Sequence, residues 1–94
     1  MSPHALHIVV YDIGDERERS RLDRLLCGYG FRVQKSVFEC RLQRSARKRM
    51  EAAISSLNLS SGHVLIYRSA TPQRTAAIGN APPAPPDADV AFVI

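Results

Sequence analysis

Along the first 69 residues the hydrophobic period switches back and forth between that of a strand and that of a helix, and this alternation limits the chain to few folds. The run "ALHIVVYD", ending at Asp12, is nearly continuous in apolar and β-branched residues and reads as a buried strand. Gly14 and Asp15 break it. In the stretch that follows, Leu22, Leu25, Leu26 and Tyr29 recur at the spacing of one helical face, which places a helix over 15–28. Asp15 is its expected cap, Glu18 three residues on resembles the second half of a capping box, and Gly28 and Gly30 stop it.

The segment "FRVQKSVFECRL" is strand-like but changes phase: Phe31 and Val33 share one face, whereas Phe38, Cys40 and Leu42 share the other. A bulge or a tight turn near Lys35 and Ser36 accounts for this, and two short strands joined by a turn is the preferred reading. A second helix is expected over 45–57, with Ala46, Met50, Ala53, Ile54 and Leu57 inward. Its start carries Arg44, Arg47, Lys48 and Arg49, cations that oppose the helix dipole there by a few tenths of a kcal/mol each, about the size of a solvated surface effect. "SSGHVLIYRS" supplies a turn and another strand. The order strand, helix, two strands, helix, strand is that of an α+β, ferredoxin-like βαββαβ sandwich, here with an extra C-terminal strand. The expected division is a ferredoxin-like domain over 1–69, a Pro-rich linker over 70–89 with four prolines within five residues, and a strand at 90–94 that adds to a sheet edge of a dimer or a partner.

Ninety-four residues hold one domain, which buries only about 60–65% of the surface of its unfolded chain, so self-association would help it. Thirteen Lys and Arg against nine Asp and Glu leave a net charge of +4, and eleven of the thirteen are Arg. The guanidinium fork suits phosphate oxygens, so the balance leans toward a polyanion, although solvated helix faces account for it equally well. Cys27 and Cys40 have no close Cys or His at metal-ligand spacing and lie among apolar residues; they are expected to be buried free thiols in a reducing compartment. His4, His7 and His63 are scattered and read as surface or satisfied core histidines. The start lacks the basic segment and apolar core of a signal peptide, and no stretch approaches the length of a membrane span; a cytoplasmic protein is expected.

Asp12 is the residue with the most chemistry open to it. A turn-forming Asp that caps the next helix is its commoner role. One carboxylate is also a poor Mg²⁺ site, since such sites use one or two carboxylates with waters and substrate phosphate. A two-fold dimer would double it: strand ends near the axis bring two Asp12 side chains together, and their repulsion favours a divalent cation. That cation would polarise a phosphodiester and activate water, with arginines on the adjoining helix holding the backbone. Ser36 and Phe38 are most simply a turn and a core residue; the functional reading puts Ser36 at phosphate or metal-bound water and Phe38 beside the site as an apolar wall.

The blocks "VVYDIGDERERSRL", "GYGFRVQKSVFECRL" and "VLIYR" resemble the small core CRISPR adaptation protein, the family of CRISPR-associated protein two, from about Leu6 to Arg68. The resemblance implies a homodimer of ferredoxin-like domains that partners the CRISPR adaptation integrase during capture of spacer DNA. It implies a Mg²⁺-dependent endonuclease on RNA or duplex DNA, with Mn²⁺ as an alternative. Asp12 falls on the family's catalytic and metal-binding aspartate, contributed by both subunits, with Tyr11 just before it. Arg19, Arg21 and Arg32 match basic positions tied to nuclease activity or nucleic-acid contact, and Ser36 and Phe38 match the Ser-Val-Phe element beside the site. Lys35 departs from the aromatic or apolar residue often found before that serine. Two other readings of the same resemblance are a purely non-catalytic nucleic-acid-binding adaptor and a toxin-like ribonuclease on the same scaffold.

Overall fold

The computed structural model describes residues 4–69, 75–79 and 90–93. The elements run β1 (Ala5–Ile13), α1 (Glu16–Leu26), β2 (Phe31–Gln34), β3 (Val37–Leu42), α2 (Arg44–Ser56), β4 (Gly62–Arg68), β5 (Thr75–Ile78) and β6 (Val90–Val93). The first four strands form one antiparallel sheet in the order β2-β3-β1-β4. Each helix follows a strand and returns the chain to the sheet, and β3 lies between β1 and β2, which gives the ferredoxin-like α+β arrangement expected from the sequence.

Alternation decides which side chains meet the helices. On β1, His7, Val9, Tyr11 and Ile13 are buried, while Leu6, Ile8 and Val10 are half-buried and Asp12 is exposed. Phe38, Cys40 and Leu42 of β3 join the buried set, and Leu22, Leu26, Met50 and Ile54 close the core from α1 and α2. The opposite face of the sheet has no helix over it in the ferredoxin-like arrangement, and there Leu65 and Tyr67 of β4 are 45% and 56% exposed.

Both devices considered for the Phe31–Leu42 segment occur. Lys35 and Ser36 form the turn, and the β2–β3 register shifts between Arg32 and Gln34. Ser36 takes φ 71°, a left-handed conformation that costs a residue with a Cβ roughly 1–2 kcal/mol. Its carbonyl accepts the Tyr11 N–H at 3.1 Å, which ties the turn to the middle strand. Gly30 is needed for close packing: a Cβ there would overlap the Glu39 carbonyl and the Cys40 sulfur.

Three expectations are corrected. Asp15 caps α1 by accepting the Glu18 N–H at 2.9 Å, but Glu18 does not return the bond as in a capping box. Its carboxylate turns instead to the loop before β4, where Ser60 and Ser61 donate to it through both backbone N–H groups and both hydroxyls. Cys27, expected to be buried, is exposed at the end of α1, whereas Cys40 is buried. His7 is a core histidine satisfied on one side only: Nδ1 lies 3.0 Å from the Ala5 carbonyl, and buried Nε2 has no partner among the described residues.

Within the stretch read as a linker over 70–89, Thr75–Ile78 forms β5, which pairs in parallel with β6 of the same chain. The terminal strand thus finds a partner inside its own chain. The proline cluster at 82–86 lies outside the described residues.

Candidate functional site

The residues singled out in the sequence gather on two faces of the sheet. On the helix side, Tyr11 and Phe38 are both in the core, with ring centroids 6.4 Å apart. The Tyr11 hydroxyl donates to Asp23 of α1, and the other oxygen of that carboxylate takes Nη2 of Arg32 at 2.6 Å. The same guanidinium lies 5.7 Å from the centre of the Phe38 ring, in cation–π range. Burial first, and the bond to Asp23 second, push the Tyr11 phenol well above its usual range, so it stays protonated as a donor.

Asp23, which joins Tyr11 to Arg32, is the residue that sequence reasoning missed. It is the one acid among Arg19, Arg21, Arg24 and the leucines of a basic helix, and that isolation was the available signal. Without a structure nothing indicated that Tyr11 and Arg32, 12 and 9 positions from Asp23 in the chain, would share its carboxylate.

Asp12 stands on the other side. Alternation along β1 turns it away from the helices, toward the face bearing Leu6, Ile8 and Val10. Phe38 therefore does not wall the Asp12 site as expected: it is fully buried and faces α1 and α2 from the opposite side of the sheet, paired in register with Val9. Tyr11 is likewise separated from Asp12 by the pleat although adjacent in the chain. The two share only backbone.

What surrounds Asp12 comes from strand neighbours and the end of β1. Ser36 is next to Tyr11 through the backbone bond already described, with Lys35 just before it in the turn. On the other side Asp12 is in register with His63 of β4, also exposed. Nη1 of Arg19 reaches back from α1 to the Ile13 carbonyl at 3.1 Å, so this arginine is held at the strand end. Arg21, two residues on, is exposed on the helix surface with Arg17 and Arg24. Arg19 is thus held at the strand end and Arg21 is exposed on α1, whereas Arg32 belongs to the Asp23 cluster.

Gly62 brings β4 into tight contact here, since a Cβ on it would overlap the Asp12 carbonyl. The loop before it is fastened by the Glu18 carboxylate, by the Gly14 N–H to the Ser61 carbonyl at 3.0 Å, and by the Asp15 N–H to the Ser61 hydroxyl at 2.9 Å. The hydrogen bonds, led by that from the Ser61 hydroxyl, hold the Glu18 carboxyl down to about 2.

Among the described residues no three His, Cys, Asp or Glu side chains converge as a metal cluster. An exposed carboxylate at a strand end still suits a hard cation that keeps most of its waters, which is how Mg²⁺ is usually held. The fit in one chain is therefore minimal, with Asp12 as the oxygen donor.

The second cationic surface is the start of α2. Gln43 precedes it without a side-chain cap, and its first turn holds no acid. Arg44, Lys48 and Arg49 are exposed there, and Arg47 pairs with Glu51 at 3.3 Å. No described helix is long and apolar enough to cross a membrane.

Comparison with known proteins agrees with the architecture. The chain is similar to the "CRISPR-associated endoribonuclease Cas2" of Geobacter sulfurreducens, 47% identical over 62 residues that cover 65% of each protein. It is 36% identical over 61 residues to the protein of the same name from Mycobacterium tuberculosis H37Rv, a match covering 65% of this chain and 54% of that one, so the chain spans about half the length of that relative. The crystal structure of a hypothetical protein, TT1823 from Thermus thermophilus, superposes with a TM-score of 0.76 at 34% identity, covering 84% of this chain and 95% of the other. The sequence family described as CRISPR associated protein Cas2 matches residues 5–76, most of the chain and all of the four-stranded sheet with its two helices, and the chain belongs to that family.

Proposed function

We propose that this chain is a CRISPR spacer-acquisition protein of the cytoplasm, a homodimeric scaffold for the adaptation integrase and a Mg²⁺-dependent endonuclease on RNA or duplex DNA. The observation that carries the reading is the position of Asp12: exposed, at the end of the open sheet face, beside apolar side chains that a second copy would cover. A symmetric pairing through that face would bring two Asp12 carboxylates to one axis and raise the donor count for a divalent cation. Bound there, the cation supplies Lewis acidity toward a phosphodiester and lowers the pKa of water. The chain's own part is to hold and orient. Asp12 provides the anionic oxygens, Arg19 is fixed at the strand end, and Arg21 stands on the exposed helix surface where a phosphate backbone can lie. Tyr11, Arg32 and Phe38 act from below, through the Asp23 cluster that sets the packing of α1 on β1 and β2. Ser36 contributes a turn whose backbone is bonded to β1. Mn²⁺ is the alternative ion.

The non-catalytic adaptor is the second reading, favoured by the exposed arginines and by the absence of a three-donor cluster among the described residues. A toxin-like ribonuclease shares the scaffold but gains nothing specific from the geometry. Asp12→Ala separates enzyme from adaptor. It should lower cleavage of RNA or duplex DNA by at least about a hundredfold, since the cation and its activated water are lost together, while nucleic-acid binding in a filter assay changes little. Undiminished cleavage by the variant would rule out the enzyme reading.

A further inference from the structure

In the proposed site Asp12 is one donor per chain. The β1–β4 register supplies another. Asp12 and His63 are directly opposed on neighbouring antiparallel strands, so their side chains leave the same face of the sheet with Cβ atoms about 4.5–5.5 Å apart. Both are exposed, and the pairs that follow along this face, Val10 with Leu65 and Ile8 with Tyr67, are uncharged. Asp12 and His63 form the polar end of an otherwise apolar stripe.

The register at this point is over-determined. Gly62 packs against the Asp12 carbonyl too closely for any side chain. The two residues before it are held by the Glu18 carboxylate, which takes four donors from Ser60 and Ser61, and by the bonds from Gly14 and Asp15 to Ser61. A one-residue slip of β4 would turn His63 to the other face and break all of these contacts. An exposed histidine has no packing need for such a mounting, and the scattered distribution of histidines in the sequence concealed it.

We propose that His63 is the second metal-donor residue of the Asp12 site, forming with Asp12 of the same chain a mixed nitrogen–oxygen pair that adds affinity for first-row transition ions while leaving Mg²⁺ to the Asp12 oxygens. The inference rests on the nuclease reading of Asp12 and deepens it. It does not need the dimer, because both donors come from one chain. Two side chains rooted this far apart converge on one ion, and the remaining positions are left to water and phosphate oxygens. An imidazole donor adds affinity for transition ions in the Irving–Williams order and little for Mg²⁺, which prefers oxygen.

The test uses untagged full-length protein and two probe ions, Co²⁺ and Mg²⁺, with binding followed by calorimetry and the visible spectrum of bound Co²⁺. Wild-type protein should bind Co²⁺ more tightly than Mg²⁺. His63→Ala and His63→Gln should each weaken Co²⁺ binding by about tenfold or more and change its spectrum, with Mg²⁺ binding altered far less. Asp12→Ala should weaken both ions. Unchanged Co²⁺ affinity in both His63 variants overturns the proposal even if Asp12→Ala abolishes cleavage; loss in the His63 variants with none in Asp12→Ala overturns the pairing. If Asp12→Ala leaves cleavage intact but weakens Co²⁺ binding as the His63 variants do, the cation pair stands and the nuclease reading falls.

Discussion

Asp23 shows how much one carboxylate can organise. It accepts from the Tyr11 hydroxyl and pairs with Arg32, whose guanidinium in turn reaches the Phe38 ring. Removing it leaves a phenol in the core without its acceptor, which is the expensive way to lose a hydrogen bond. Asp23→Ala should therefore cost about 1–3 kcal/mol in urea unfolding. Asp23→Asn, which can still accept from Tyr11, should cost less. Equal losses in the two variants would mean that the ion pair with Arg32, half exposed and screened, dominates after all. At this scale the chain reads plainly in part: Asp12 was legible because an acid ends an apolar run, whereas Asp23 and His63 acquire meaning only from partners on other elements.

Among the elements, the two-stranded β5–β6 sheet is the least self-sufficient. A pair of four-residue strands is by itself marginal in water. Ile78, 76% exposed on β5, fits a surface awaiting contact. Under the proposed scaffold role, deleting residues 82–94 removes β6 and should weaken association with an adaptation integrase in a pull-down while the four-stranded sheet keeps its melting temperature. Unaltered association would dissociate this segment from the scaffold role. The strand at the C-terminus was evident from "VAFVI", but its pairing with β5 was not, because "TAAI" is only four residues long and half of it is Ala, a residue depleted in strands. In the same way Glu18 was read as a local capping partner. It has better acceptor geometry across the fold, where it satisfies two backbone N–H groups that the turn into β4 would otherwise leave unpaired.

Across the whole molecule, acid should act twice. Burial, as the leading cause, lowers the His7 pKa from its ordinary 6.5, so the native state favours the neutral ring and binds fewer protons than the unfolded chain. That contribution is complete above the unfolded value and is lost as pH falls below it. Glu18, held at about 2 against an ordinary 4.5, adds stability that is present above 4.5 and is lost as pH falls from there toward 2. Both favour the folded protein at neutral pH. The urea midpoint should decline below about pH 6.5 and decline again below pH 4.5, and Glu18→Gln should remove the second decline while lowering the midpoint at neutral pH. A second decline that persists in Glu18→Gln would assign it to other carboxylates.

The order of strands and helices and the buried face of each follow from local rules, because periodicity and turn chemistry act over a few residues. Those rules suffice to place Asp12 at a strand end and arginines on the helix after it. They say nothing of which side of the sheet each residue meets across strands. Only the assembled sheet put Phe38 on the Tyr11 face and away from Asp12, carried Asp23 to Tyr11 and Arg32, and brought His63 opposite Asp12. Those relations are set by long-range register, and register is decided by the sum of packing and hydrogen bonds along whole strands, not by any short stretch of sequence.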